Sequence, residues 1–173
     1  MSFADAIRTG IEIVKLNRAV IREVAEEPQA FSPALLISAI TGLAMCLYVF
    51  HFALHIVITG PLLGLALLFL GGVVLHFVAT LFNGQGEFLT LLRTLGTARV
   101  LGWLWVVPFV GLIVDLFWGF VVAIVILEEL YHLNRTQAVL TVALPGLALL
   151  LVWVVLLLNM IVLGGLFGLG RFS

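Results

Sequence analysis

The sequence predicts an all-α, polytopic membrane helical bundle, with five transmembrane helices preceded by an amphipathic interfacial helix. Three observations carry this. Of 173 residues, 64% are apolar and only 10% charged, with a mean hydropathy of +1.30, where a soluble domain carries about 45–50% and roughly 25%. From Pro33 onward apolar blocks recur near the length of about 20 residues that a bilayer core requires. Before that point, charges recur at helical steps instead. A soluble enzyme, a nucleic-acid binder and a disordered scaffold are excluded. The net charge of −1 points to neither nucleic acid nor an anionic lipid surface. The one cysteine, Cys46, lies in an apolar run and cannot form an intrachain disulfide.

Residues 3–27 read as one amphipathic helix. Asp5, Arg8, Glu12, Lys15, Arg22 and Glu26 lie at three- and four-residue steps, and Phe3, Ile7, Ile11, Val14 and Ile21 make the facing apolar stripe. The pairs Arg8–Glu12 and Arg22–Glu26 support it at i,i+4. The first 30 residues carry nine charges and no continuous apolar stretch, so no cleavable signal is expected. With four basic and five acidic residues the segment is not a polybasic anchor; it reads as a helix lying in the membrane interface or docking a partner. Pro28 and Pro33 are expected to end it.

The first span is expected at 33–58, turning at Thr59-Gly60-Pro61, and the second at 62–82, ending in the polar stretch Asn83–Glu87. Residues 88–96, with Arg93 on an otherwise apolar segment, read as an interfacial lead-in. The 35 residues of 97–131 would measure ~52 Å as one helix, too long for one crossing. Pro108 and Gly111 in their middle divide them into spans at 97–112 and 114–131. A last span at 138–163 precedes a tail with Gly164, Gly165, Gly168 and Gly170. The domain reading is thus 1–32, 33–163 and 164–173. With the N-terminus inside, Arg8, Lys15, Arg18, Arg22, Arg93, Arg99 and Arg135 fall on the inner side and Arg171 alone on the outer, which sets the orientation; in a four-span alternative Arg135 and Arg171 exchange sides and the bias is the same. No two spans repeat each other as a transporter's inverted halves do. Ser38/Gly42, Gly60/Gly64, Ala98/Gly102 and Gly119/Ala123 are small-residue pairs that allow close helix packing.

Ionisable groups inside spans cost roughly 2.5–3.5 kcal/mol at the bilayer centre, so each asks for a reason. His51 and His55 share a face at i,i+4, but no glutamate follows His51, and His76 lies too deep in the next span to complete a zinc site. His76, Glu128, Glu129 and His132 fall at one inner depth, with Glu129–His132 at i,i+3 and Glu128–His132 at i,i+4. They are the candidate polar pathway, or interfacial side chains. A dimetal bundle would need a second Glu-x-x-His motif and further glutamates, which the chain lacks. Asp115 is expected to cap the turn before the fourth span and Asn159 to bond across helices; Trp103, Trp105, Trp118 and Trp153 read as interface or packing residues. Neither a G-x-S-x-G elbow, a phosphate-binding glycine loop nor a cysteine pair is present, so no catalytic, cofactor or metal site is assigned.

The segment Asn83-Gly84-Gln85-Gly86-Glu87-Phe88, followed by Leu91-Leu92-Arg93-Thr94-Leu95-Gly96-Thr97-Ala98, resembles the glycine–polar–Phe stretch of Yip-domain proteins, the Ypt/Rab-interacting membrane proteins. Glu129-Leu130-Tyr131-His132-Leu133-Asn134-Arg135-Thr136-Gln137-Ala138, ending in Val142-Ala143-Leu144-Pro145, is similar to that family's linker between its fourth and fifth spans, and Pro28-x-x-Phe31 also fits. The resemblance covers roughly residues 28–163. It implies five spans and a cytosolic N-terminus. Eukaryotic members are associated with vesicle traffic, bind prenylated small GTPases and carry a longer cytosolic N-terminal region, which sets GTPase binding aside as an expectation here. The compact form looks like the bacterial and archaeal members, in a cytoplasmic membrane.

The functional expectation is a non-catalytic membrane protein whose partners are the lipid bilayer and other membrane subunits or its own copies. Its contact surfaces would be the helix carrying Phe3, Ile7, Ile11, Val14 and Ile21 and the segment 83–99. The rival is a small transporter or channel for protons or a divalent metal, using His76, Glu128, Glu129 and His132.

Overall fold

The computed structural model describes residues 1–50, 55–107 and 109–169, and every regular element among them is helical. His51, Pro108, Gly170 and Arg171, and the side chains of Trp153 and Asn159, lie outside the described residues. The elements are α1 (Phe3–Val14), α2 (Arg18–Glu26), a 3₁₀ turn at Pro28–Ala30, α3 (Phe31–Phe50), α4 (Ile56–Leu81), α5 (Phe88–Ala98), a 3₁₀ stretch at Arg99–Val106, α6 (Val110–Tyr131) and α7 (Arg135–Leu169). Four segments are long and apolar enough to cross a membrane: Pro28–Leu47, Ile56–Leu81, Val110–Tyr131 and Arg135–Leu156. The chain is an integral membrane protein.

The N-terminal amphipathic segment is two helices, not one. Ser2 opens α1 with a capping box: its Oγ accepts from the Asp5 N–H at 3.2 Å, and Asp5 accepts from the Ser2 N–H at 3.3 Å. The helix stops at Leu16, which turns to φ 66° while Leu16 N–H donates to the Ile13 carbonyl and Asn17 N–H to that of Glu12. This is a Schellman closure with leucine where glycine is usual. Leu16 holds that strained position because its side chain packs against the core.

The two small-residue pairs flanking the first loop pack on each other. A Cβ on Gly42 would overlap the Gly60 carbonyl, and one on Gly64 would overlap that of Ser38. Backbone contact this close is how membrane helices gain dispersion energy where lipid offers no hydrophobic drive. Thr59-Gly60-Pro61 is therefore not a turn. Gly60 and Pro61 lie inside α4, which starts at Ile56, and the glycine is there for the seam with α3.

α5 is the centre of the molecule, in contact with α1, α2, α3, α4 and α6. Leu91, Leu92, Thr94, Gly96, Thr97 and Ala98 are all buried. Its threonines satisfy themselves, Thr94 Oγ1 donating to the Thr90 carbonyl at 3.0 Å and Thr97 Oγ1 to that of Arg93 at 2.8 Å. The expected interfacial lead-in at 88–96 is thus a core helix, whose mixed composition reflects protein rather than lipid neighbours. The expected span at 97–112 is not one helix: α5 ends at Ala98, the 3₁₀ stretch Arg99–Val106 follows, and α6 runs back against it. Gly111 makes the reversal possible, since a Cβ there would overlap the Leu104 carbonyl. α6 consequently begins a few residues earlier than expected.

Asn134 and Gln137 start α7 with a reciprocal box, each backbone N–H donating to the other's side-chain oxygen at 3.1 and 2.9 Å. The helix then runs unbroken to Leu169 through Gly164, Gly165 and Gly168, where a separate tail was expected.

Candidate functional site

The polar groups gather where α2, the 82–87 loop and the C-terminal end of α6 meet. Glu128 and Glu129 are adjacent on α6, and their side chains are only 10% and 13% exposed. Two carboxylates so enclosed need cations. Arg18 of α2 supplies one guanidinium to both: Nη2 lies 2.6 Å from Glu128 Oε2, and Nη1 bonds Glu129 Oε1. Arg22 Nε reaches Glu129 Oε2 at 3.1 Å, and Arg135 Nη1 lies 3.5 Å from Glu128 Oε1. The planar fork of arginine allows such bridging, which lysine cannot reproduce. The hydrogen bonds to Glu129 and Glu128 hold the Arg18 pKa above its ordinary value. Sequence spacing had no means of finding these partners, which lie 107 to 111 positions away for the two α2 arginines.

His76 belongs to a second cluster. Its Nδ1 lies 2.5 Å from the Tyr131 hydroxyl, and its ring stands against Phe88 and Tyr131 with centroids 5.6 and 5.7 Å away. Tyr131 is 1% exposed. The loop after α4 clasps it. Asn83 takes a left-handed φ of 61°, and Cβ atoms on Gly84 and Gly86 would lie 2.9 and 2.6 Å from ring carbons of Tyr131. Gln85 N–H donates to the Tyr131 carbonyl at 3.4 Å. The segments Asn83–Phe88 and Glu129–Ala138 therefore meet in space around one tyrosine that sequence reading passed over.

The four residues of the candidate pathway share one end of the bundle but not one site. His76 faces Tyr131, while Glu128 and Glu129 face arginines. His132 lies beyond α6 with φ 53°, exposed, so the helical i,i+3 and i,i+4 relations to the glutamates do not exist. His132 and Glu129 do line one open cavity, with Arg22, Glu26, Glu87 and Arg93. Among the described residues no three histidine, cysteine or acidic side chains converge as metal ligands would. His55 stands at the N-terminal end of α4. Asp115 caps no turn: it lies within α6, and its Oδ2 accepts the Trp105 indole N–H at 2.8 Å. Arg99, counted with the inner cations, instead reaches into the bundle to the Gly64 carbonyl at 3.4 Å.

The expected contact stripe is also redistributed. α1 packs on the body through Ala6, Gly10 and Ile13, and α2 through Ile21, Val24 and Ala25. Gly10 is required, since a Cβ there would sit 3.0 Å from Val100 Cγ1 and closer still to the Thr97 carbonyl. Phe3 and Ile11 remain exposed, at 36% and 42%, while Ile7 and Val14 are half-buried and Ile21 is fully buried. Trp118 of α6, itself exposed, donates its indole N–H to the Val14 carbonyl at 2.8 Å and satisfies one of the orphan acceptors at the end of α1.

No curated protein and no solved structure matches the chain. A family model does: the Yip1 domain, over residues 12–157. The matched region takes in the arginine-bridged glutamates, the loop that clasps Tyr131 and the helices from α2 to the greater part of α7, and the chain belongs to the Yip1-domain family.

Proposed function

We propose that the protein is a non-catalytic, membrane-embedded interaction protein, an accessory subunit or membrane-organising oligomer. The observation that carries this reading is the Arg18 bridge to Glu128 and Glu129, which ties α2, and α1 with it, to the end of α6. Held there, α1 has three sides: Ala6, Gly10 and Ile13 on protein, Asp5, Arg8 and Glu12 toward water, and Phe3 with Ile11 open on the third. An exposed apolar stripe beside a charged face suits the membrane interface and any subunit that docks in it.

The reading places the N-terminus on the cytosolic side of a prokaryotic-type cytoplasmic membrane, residues 1–32 as the interfacial unit and a bundle of five crossings after it. Support for the fifth crossing comes from Phe88–Val106, a continuous helical run whose α and 3₁₀ rises amount to about 32 Å. It starts beside Tyr131, at the end where α4 and α6 finish, and α6 starts from its far end. The transporter reading draws less support, because the glutamates are neutralised by arginines and His76 is committed to Tyr131.

The test is purification of tagged protein from native membranes in mild detergent, wild type against Phe3→Asn/Ile11→Asn. A stoichiometric membrane subunit or second copy that is present in the wild type and lost in the double variant is the expected result. Recovery of a lone chain in both would overturn the reading.

A further inference from the structure

A cavity of 200 Å³ opens between α4 and α6 with α5 as its floor, remote from the arginine–glutamate site. Its walls are apolar, with Leu68 and Leu75 on α4, Leu95 on α5 and Val122 on α6, and two charged groups, Arg99 and Asp115, line it. Arg99 is held by the carbonyl of Gly64, which lies eight residues into α4 and so about 12 Å below that helix's end. That bond, at 3.4 Å, is the one hydrogen bond the guanidinium makes among the described residues, although it carries five N–H donors. Asp115 acts on it through space but closes no ion pair with it among the described residues, and the Asp115 carboxylate accepts from the Trp105 indole. A fixed cation at this depth, lining a cavity whose walls apart from Asp115 are hydrocarbon, is a site for an amphiphile rather than for a hydrated ion.

We propose that this cavity binds the carboxylate of a single-chain acyl amphiphile, a fatty acid, on Arg99, with the chain lying along the apolar walls. The planar guanidinium matches a carboxylate in two parallel hydrogen bonds. The cavity volume suits a carboxylate and its first methylenes, and the side open between α4 and α6 lets the rest of one chain continue into the bilayer. A phosphodiester headgroup with two chains is too bulky and belongs at the water interface, a helix-third above Arg99. The site is independent of the interaction surface proposed above.

The test uses the full chain in phosphatidylcholine vesicles and measures saturable binding of radiolabelled oleate, dioleoyl phosphatidylglycerol and inorganic phosphate. Oleate is expected to bind at one site per chain, and Arg99→Gln to weaken it by about tenfold or more, the scale of a lost charge-assisted pair. Gly71→Phe serves as a second variant. Gly71 lines the cavity, and a Cβ there meets nothing within 4 Å, so a bulky group can be added at the cavity wall without backbone overlap while Arg99 stays in place. It is expected to abolish oleate binding even if Arg99→Gln does not fold. Arg93→Gln, outside this cavity, is expected to bind oleate as the wild type does. Oleate binding unchanged by Gly71→Phe overturns the proposal, as does no saturable oleate binding at all. Equal affinity for phosphatidylglycerol or phosphate also overturns it; the cavity would then hold a two-chain lipid or a free anion, or hydrate an Arg99–Asp115 pair.

Discussion

Tyr131 and His76 hold the ends of α6 and α4 together through one contact, hydroxyl to imidazole Nδ1 at 2.5 Å, inside a collar made by Gly84 and Gly86. The collar exists only because neither glycine has a side chain, and it closes on a ring whose hydroxyl is engaged by His76. Tyr131→Phe keeps the ring and loses the bond. It is expected to cost about 1 kcal/mol, whereas Tyr131→Ala empties the collar and is expected to cost about 3–5 kcal/mol, as large aromatic truncations do. Denaturant titration in detergent micelles separates the two. Equal costs would mean that the hydrogen bond, not the packing, sets stability here.

The bridge from Arg18 to Glu128 and Glu129 makes a different kind of prediction, because half of it is wet: the arginine is 46% exposed. Removing it leaves two enclosed carboxylates with Arg22 and Arg135 alone. Arg18→Ala is expected to destabilise α2 docking by on the order of 1 kcal/mol at low salt and by less at high salt. Limited proteolysis at the Lys15–Asn17 joint should report this as faster cleavage. Glu128→Gln in the same background should restore the wild-type rate in part, since it removes the carboxylate left with only the longer Arg135 contact.

The capping box at the start of α1 gives a pH dependence with a definite sign. Hydrogen bonds from Ser2 hold the Asp5 carboxyl below its ordinary value of 3.8. A depressed folded value means the cap contributes stability above the unfolded value and loses it as pH falls through the folded one. Hydrogen exchange over residues 2–8 is therefore expected to be slow and flat at neutral pH and to accelerate only in acid below 3.8. Asp5→Asn should abolish the acid step. An acceleration centred near neutrality would contradict the assignment.

Glycine positions divide sharply between helix contact and open space. Gly64→Ala pushes a methyl into the Ser38 carbonyl across the α3–α4 seam and is expected to cost about 1–3 kcal/mol. Gly71 and Gly146 have open space where a Cβ would go. Alanine there is expected to be neutral or stabilising by about 0.5–1 kcal/mol, the helix-propensity gain alone. Thermal unfolding of the three variants in one detergent checks the contrast.

What sequence could reveal tracked what is local or periodic. The apolar lengths of α3, α4, α6 and α7 and the amphipathic N-terminus are properties of single segments, and the motifs at Asn83–Ala98 and Glu129–Pro145 sufficed for the family. Loop positions were misplaced where a glycine had two possible uses. Gly60 beside Pro61 reads as a turn, yet it serves a helix seam whose other half, Gly42, lies on α3. The candidate site was half legible. Glu128, Glu129 and His76 stood out as costly in a membrane, but their partners Arg18 and Tyr131 look ordinary until the chain folds. α5 was undervalued for a related reason. Hydropathy measures fitness for lipid, and Thr90, Thr94, Thr97 and Arg93 lower it in a helix that sees mostly protein.

That last feature bears on how the chain is made. A segment with an arginine near its middle and three hydroxyls enters a bilayer unaided only at a penalty of a few kcal/mol, so α5 is poorly suited to leave the insertion machinery as an independent unit. Yet it is the helix on which five others rest. α3 and α4, joined through their glycines, would have to be waiting as a receptive pair when α5 emerges, and α6 would have to close over it soon after. Biogenesis of this small protein is then one concerted event, and a chain truncated after Leu81 should be retained or degraded rather than accumulate as a stable hairpin.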